Sequence, residues 1–237
     1  MSAPVLIMAG GTGGHVFPAL ALARLLRAQS LDVIWLGTER GLESRVIPAE
    51  GIPIEHLTVA GLRGKGALAW LAAPFRLSRA LLQALAIMRR YRPAVVVGLG
   101  GFVTGPGGLA AWLARRPLVI HEQNAIAGFT NRVLAHFARQ VLEAFPGSFG
   151  QGVHARVIGN PVRADIGALP PPAARFAGRS GPARLLVIGG SQGAARLNAV
   201  VPFALKRLAG ALTFDVRHQA GERWLEAGRA SYAEAGV

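Results

Sequence analysis

Short apolar runs recur along the chain, each ending in a glycine-rich or polar turn and followed by a segment with helical periodicity. Residues 5–9 (VLIMA) read as a buried strand that runs straight into the loop GGTGGH at 10–15. A helix is expected to begin near Pro18, a residue suited to a first turn, and to carry Leu20, Leu22, Leu25 and Leu26. Further strands are expected at 33–37, 94–98, 118–121 and 156–159, with helices over 39–50, 75–91, 105–115 and 127–139. Strands apolar on both faces that alternate with helices imply an α/β fold built on a doubly wound parallel sheet.

An internal echo extends this order. The stretch 185–193 (LLVIGGSQG) repeats 6–14 (LIMAGGTGG), placing Gly10 on Gly189, Gly11 on Gly190, Thr12 on Ser191 and Gly14 on Gly193. A proline-rich stretch, 170–182, precedes the repeat and reads as part of a linker. The expected organisation is therefore a Rossmann-like domain over 1–163, a linker over 164–183 and a second Rossmann-like unit over 184–237. That unit holds a strand, a helix over 194–208 and a strand over 214–218, too few αβ repeats for a complete doubly wound domain.

Composition narrows the class. Among 237 residues, 51% are hydrophobic, which excludes a disordered chain and provides for a real core. The absence of cysteine excludes disulfides, thiolate metal sites and cysteine nucleophiles. Two stretches, 1–23 and 93–114, carry no formal charge, but glycines and prolines interrupt both, so neither is expected to cross a bilayer. No Lys or Arg precedes the first apolar run, so the pattern of a secretory signal is missing and an intracellular protein is expected. The net charge is +14 and unevenly spread: between His56 and His121 lie Arg63, Lys65, Arg76, Arg79, Arg89, Arg90, Arg92, Arg115 and Arg116 without a single acid. Such a field attracts a phosphorylated substrate, an anionic lipid surface or nucleic acid.

Candidate chemistry concentrates in three glycine loops, at 10–14, 100–108 and 189–193, each placed between a strand and a helix. Free N–H groups and the positive end of a helix dipole suit such a turn to phosphate, although glycines also serve merely to let a helix approach a sheet. No Gly-Lys-Ser/Thr follows any of them, which argues against a P-loop. The first loop has Val16 where a dinucleotide fingerprint has its third glycine, yet Glu39 stands where a ribose could be held, so a nicotinamide-dependent oxidoreductase stays open. His15 follows the first loop, at a helix start that favours the neutral imidazole a general base needs; the alternative is a histidine bonded to a nearby backbone carbonyl. Glu122, the lone acid between Glu55 and Glu143, falls at the C-terminal end of a strand, as a functional carboxylate or as the partner of an arginine. Arg163 is placed to reach a phosphate or simply to meet solvent.

The segment 70–92 carries a different pattern. Leu77, Leu81, Leu85 and Met88 form an apolar stripe, while Arg76, Arg79, Gln83 and Arg90 form a polar one flanked by Phe75 and Leu82. A sheet-covering helix with a solvated basic face has this look, and so does a helix resting on an anionic bilayer, for which Trp70, Phe75, Arg76, Arg79 and Leu82 are the candidate contacts. A basic module that binds polyanions is the third class, but the cations lack interleaved aromatics and no nucleic-acid motif is present, so nucleic acid is not an expected partner.

Taken together, MAGGTGGHVFPALALA (8–23), GLRGKG (61–66), GGFVTGPGGLAAWLA (100–114), HEQNAIAGFTNR (121–132), GNPVR (159–163) and GGSQGAARLN (189–198) resemble the MurG family of peptidoglycan glycosyltransferases, in order and over nearly the whole chain. The resemblance implies a GT-B fold, with the acceptor handled by the first domain and the sugar nucleotide by the second. It implies inverting transfer of N-acetylglucosamine from UDP-N-acetylglucosamine to lipid I, the undecaprenyl-diphosphate-linked muramoyl-pentapeptide, giving lipid II at the cytoplasmic face of the bacterial membrane. Substrate contacts would fall on Thr12, Gly13, Gly14, Gly101, Thr104, Asn124, Arg163, Ser191, Gln192 and Gly193, with His15 as base and Glu122 as its runner-up or a positioning group. No cofactor is implied, and the absence of an Asp-x-Asp pair fits a donor held without a metal on that motif. The family's later Ser-x-Ala-x-Thr-x-x-Glu segment does not occur before Val237, so little transferase activity and weak donor affinity are expected of these residues alone.

Overall fold

A computed structural model describes residues 3–59, 73–190 and 193–237. The chain divides into two compact units, Met1–Leu169 and Pro170–Val237. The first unit is organised by seven parallel strands: β1 (Val5–Ala9), β2 (Val33–Gly37), β3 (Ile54–His56), β4 (Val95–Gly100), β5 (Leu118–Glu122), β6 (Gln140–Glu143) and β7 (Ala155–Val157). Their order across the sheet is β3-β2-β1-β4-β5-β6-β7. The chain thus leaves β1 in one direction and returns beyond it in the other, which puts the switch point between β1 and β4.

The central strands are almost wholly buried because helices cover both faces: α1 (Gly13–Ala28), α2 (Glu43–Ala49), α3 (Ala73–Tyr91), α4 (Thr104–Leu113) and α5 (Phe129–Ala135). One core layer gathers Leu6, Met8, Leu36, Met88, Leu118 and Ile120. The other gathers Val5, Ile7, Trp35, Ile47 and Leu99. Trp35 is wholly buried and its indole Nε1 donates to the Ala9 carbonyl at 2.9 Å, tying β2 to the end of β1.

Several expected boundaries move. The first helix begins at Gly13 rather than at Pro18, because the Thr12 carbonyl accepts from the N–H groups of both His15 and Val16 and closes the first turn there. Pro18 then sits inside the helix, where its missing N–H leaves the carbonyl of exposed Gly14 to solvent. The helices expected over 39–50 and 127–139 shorten to α2 and α5, and β3 and β6 appear where no strand was expected. The buried side of α3 also differs from the leucine stripe: Ala80, Ala84, Ile87 and Met88 face inward, while Leu77 is exposed. Small residues there let α3 lie close to its neighbours, which pushes the larger leucines to the flanks.

After the sheet's last strand the first unit ends in the short helix α6 (Ala164–Gly167), and the second unit opens with the short helix α7 (Pro172–Phe176). The second unit continues with β8 (Ala183–Ile188), α8 (Ala195–Leu208), β9 (Phe214–Gln219) and α9 (Leu225–Ala235), with β8 and β9 paired in parallel. The architecture is α/β, a doubly wound Rossmann-like sheet in the first unit and a smaller αβ unit after it.

Candidate active site at the sheet switch point

The two glycine loops of the first unit flank the switch point. The first leaves β1 and enters α1, and the second leaves β4 and enters α4. They touch directly, since Gly10 N–H donates to the Gly100 carbonyl at 3.3 Å and a Cβ on Gly101 would land on the Gly10 carbonyl. Gly101 also has φ +89°, a conformation that side chains rarely tolerate. Among the described residues, the N–H groups of Thr12, Gly13 and Gly14, and of Phe102 and Gly105, have no backbone or side-chain acceptor. Two helix N-termini therefore present free donors side by side.

Glu43, which the sequence reading passed over, holds the first loop in place. Its side chain is fully buried in α2. Its Oε2 accepts from Gly11 N–H at 3.0 Å, and its Oε1 accepts from the Thr38 N–H and hydroxyl, both at 2.8 Å. Gly10, Gly37 and Gly41 surround the side chain so closely that a Cβ on Gly10 or Gly41 would strike the carboxylate and one on Gly37 its Cγ. The signal in the sequence was this ring of glycines around the end of β2.

His15, in the first turn of α1, is half-buried, with the backbone of Gly100 against its ring; a Cβ there would come within 2.7 Å of Nδ1. Its partner is a side chain rather than a backbone carbonyl: Nδ1 lies 2.9 Å from Gln123 Oε1. Gln123 in turn meets His121, whose Nε2 reaches the Gly159 carbonyl at 2.9 Å. Burial pushes the His121 pKa below the ordinary histidine value, against the opposing pull of the Gly159 bond and of Glu122.

Glu122 is buried and is spent on the loop that follows β5. Oε1 accepts from the N–H and side-chain amide of Asn124 at 3.0 and 2.8 Å, and Oε2 accepts from Gly128 N–H at 3.1 Å and Asn131 Nδ2 at 2.9 Å. Among the described residues no arginine or lysine pairs with it. Both oxygens accept from donors of the loop that follows β5, which ties the group to the Asn124 loop. Thr104, read as a substrate contact, is likewise fully buried, and its hydroxyl donates to the Gly100 carbonyl at 2.8 Å. It closes the second loop from behind.

Of the remaining expected contacts among the described residues, Gly13 and Gly193 are half-buried and the others are exposed. Thr12, Gly14 and Asn124 face solvent at the edge of the first sheet, and Arg163 makes an exposed pair with Asp165 at 3.3 Å. A cavity of about 680 Å³ beside the loops is lined by Gly10, Gly11, Thr38, Glu39, Arg40, Phe75, Arg76, Arg79 and Phe102, among others. The structure thus brings Phe75, Arg76 and Arg79, expected at a membrane, to the same hollow as the first glycine loop. Leu82 is exposed outside it. Trp70, Ser191, Gln192 and the GLRGKG stretch lie outside the described residues.

In the second unit, the backbone packs closely around Gly189 and Gly193. A Cβ on Gly193 (φ +71°) would strike the Ala220 carbonyl, and one on Gly189 would come within 2.7 Å of Ala194 N. Asn198, buried in the first turn of α8, donates from Nδ2 to the Ala220 carbonyl at 3.0 Å. Among the described residues no cluster of three His, Asp or Glu side chains is placed to hold a metal.

Comparison with known proteins identifies a family for the chain. Residues 5–143 match the Glycosyltransferase family 28 N-terminal domain, and residues 184–236 match the Glycosyltransferase family 28 C-terminal domain. Over 239 residues the chain is 59% identical to the UDP-N-acetylglucosamine–N-acetylmuramyl-(pentapeptide) pyrophosphoryl-undecaprenol N-acetylglucosamine transferase of Alkalilimnicola ehrlichii, covering 100% of this chain and 66% of that protein. It is 59% identical over 232 residues to the protein of the same name from Marinobacter nauticus, covering 98% and 64%. The chain therefore spans just under two thirds of the length of these curated relatives. The crystal structure of Acinetobacter baumannii MurG superimposes with a TM-score of 0.80 at 41% identity, over 100% of this chain and 65% of that one. A glycosyltransferase from Rickettsia africae, at 12% identity and a TM-score of 0.65 over 100% of this chain and 66% of that one, shares the fold alone. By the match over more than half its length, the chain belongs to glycosyltransferase family 28.

Proposed function

We propose that this chain acts in transferring N-acetylglucosamine from UDP-N-acetylglucosamine to lipid I, giving lipid II, as an inverting glycosyltransferase. The observation that carries the reading is the pair of adjoining helix N-termini at the switch point, with free amides on one side and His15 between the loops. The lipid I diphosphate would rest on the amides of Thr12, Gly13, Gly14 and Gly105, with Arg76 and Arg79 supplying positive charge across the cavity. The acceptor 4-hydroxyl attacks the anomeric carbon of the donor sugar and gives its proton to the His15 imidazole. The bond from that carbon to the diphosphate breaks, and UDP leaves with the electron pair. Asn124, positioned by Glu122, and Arg163, Ser191, Gln192 and Gly193 are the residues we assign to donor contacts; the names of the relatives support this donor and acceptor. No match supports the oxidoreductase or polyanion-binding alternatives.

The setting we propose is peripheral, on the anionic cytoplasmic face of the membrane. None of the described helices is long and apolar enough to cross one. Phe75, Leu77 and Leu82 are exposed on α3, and an apolar groove of about 300 Å³ lined by Leu77, Leu81, Leu109, Val133 and Phe137 runs beside them. These side chains suit contact with acyl chains, and the nearby arginines suit phosphate headgroups.

The test is transfer of labelled N-acetylglucosamine to a short-chain lipid I analogue. It is run with the chain itself and with a chimera in which the C-terminal third of the Alkalilimnicola ehrlichii relative follows Val237. His15→Gln in the chimera should lower kcat by about 10²- to 10⁴-fold, the usual range for a lost general base, with the donor KM little changed. A rate within threefold of the unsubstituted chimera would remove His15 from the mechanism.

A further inference from the structure

We propose that Gln123 is a positioning residue that fixes the His15 imidazole with its proton on Nδ1, leaving Nε2 as the atom that receives the proton of the acceptor hydroxyl. The inference rests on the transfer reading above for the role of His15, but its geometry stands by itself. A backbone carbonyl only accepts, so His121 Nε2, 2.9 Å from the Gly159 carbonyl, must carry a proton. His121 is buried and neutral, which leaves its Nδ1 as an acceptor.

Gln123 Nε2 lies 2.9 Å from that Nδ1 and also 2.9 Å from the His121 carbonyl, two acceptors that take its two N–H bonds. The amide orientation is thereby set: a flipped amide would press its oxygen against a carbonyl oxygen. Gln123 Oε1 is left to accept, and the group 2.9 Å away is His15 Nδ1, which must donate. The Gln123 backbone is pinned as well, its carbonyl accepting from Asn160 Nδ2 at 3.1 Å. A rotated His15 ring would set carbon against Gln123 Oε1 and lose the bond. Nδ1–H donates whether Nε2 is bare or protonated, and more strongly in the imidazolium, so the same contact serves before and after proton transfer.

The deciding experiment is long-range proton–nitrogen NMR on the ¹⁵N-labelled chain at pH 8, with the imidazoles assigned through His15→Gln and His121→Gln. The expected spectrum shows His15 with Nδ1 protonated and Nε2 bare, and His121 with the opposite tautomer. Gln123→Met, which keeps the length and removes both ends of the relay, should turn the His15 signature into a tautomer mixture. Gln123→Asn, too short to bridge, should do the same if the methionine variant folds poorly. A His15 that is Nε2-protonated in the unsubstituted chain, or that keeps its Nδ1–H tautomer in the variants, overturns the proposal. The transfer reading fails separately: a His15→Gln chimera that still transfers removes the base but leaves the tautomer result standing.

Discussion

Replacing Glu43 by glutamine tests whether a buried carboxylate is what shapes the first glycine loop. The side chain has no solvent exposure, and three donors converge on it from Gly11 and Thr38 at 2.8–3.0 Å. Glutamine keeps the volume. Its best orientation leaves the carbonyl oxygen facing the two Thr38 donors and sets the NH₂ against Gly11 N–H. One charge-assisted bond, typically about 1.5–3 kcal/mol, is lost, and a buried donor is left unpaired at about 1–3 kcal/mol. The neutral amide recovers part of the carboxylate's desolvation cost, so a net loss of about 2–4 kcal/mol is expected. Methionine, which accepts from none of the donors, should cost more than glutamine. The assay is urea unfolding of the first unit, read together with amide hydrogen exchange at Gly11 and Thr38, since two units need not unfold in one step. A Glu43→Gln variant within 0.5 kcal/mol of the unsubstituted chain, with Gly11 exchange unchanged, would refute the argument.

Three further expectations follow from the same geometry. Gly101→Ala forces a side chain into a left-handed conformation and onto the Gly10 carbonyl, so a loss of about 1–3 kcal/mol or more is expected in urea unfolding, with altered amide shifts in the first loop. His121 has its folded pKa below the ordinary 6.5, so the unfolded chain takes up its proton first as pH falls. Its contribution is full above about pH 6.5 and is lost below that value, at no more than about 1.4 kcal/mol per pH unit, until the folded pKa is passed. Unfolding at pH 7.5 and 5.5 should show this acid sensitivity in the unsubstituted chain and less of it in His121→Gln; equal sensitivity in both would contradict the assignment. Changing Arg76 and Arg79 together to glutamate should abolish any preference for anionic over neutral vesicles in sedimentation, and a retained preference would place the lipid-facing charge elsewhere.

What the sequence made legible follows from how each feature is built. β1, β2, β4 and most of β5 announce themselves because strands buried on both faces are built almost wholly from apolar residues and glycine; His121 and Glu122 at the end of β5 are the exceptions. β3 (IEH) and β6 (QVLE) do not, since each is short, carries polar residues and lies toward an edge of the sheet. The glycine loops and His15 were visible as a strand, a turn and a helix start in succession. Their supporting residues were not, because a single acid in ESRVIPA or an amide in HEQN has no periodicity to mark it. Glu43 and Gln123 acquire their roles only when β2 and β5 bring them to the same edge as β1. The solitude of Glu122 in the sequence pointed to a reactive group or an arginine partner, whereas its partners in the fold are the amide donors of Asn124, Gly128 and Asn131.

In the proposed reaction the adjoining loops of the first unit hold the acceptor diphosphate. Backbone amide NMR during titration of the chain with a short-chain lipid I analogue reads this contact residue by residue. The largest shifts are expected at Thr12, Gly13, Gly14, Phe102 and Gly105. Shifts that leave these amides in place and gather instead around His136, Arg139, His154 and Arg156, which line a separate cavity of about 380 Å³, would contradict it.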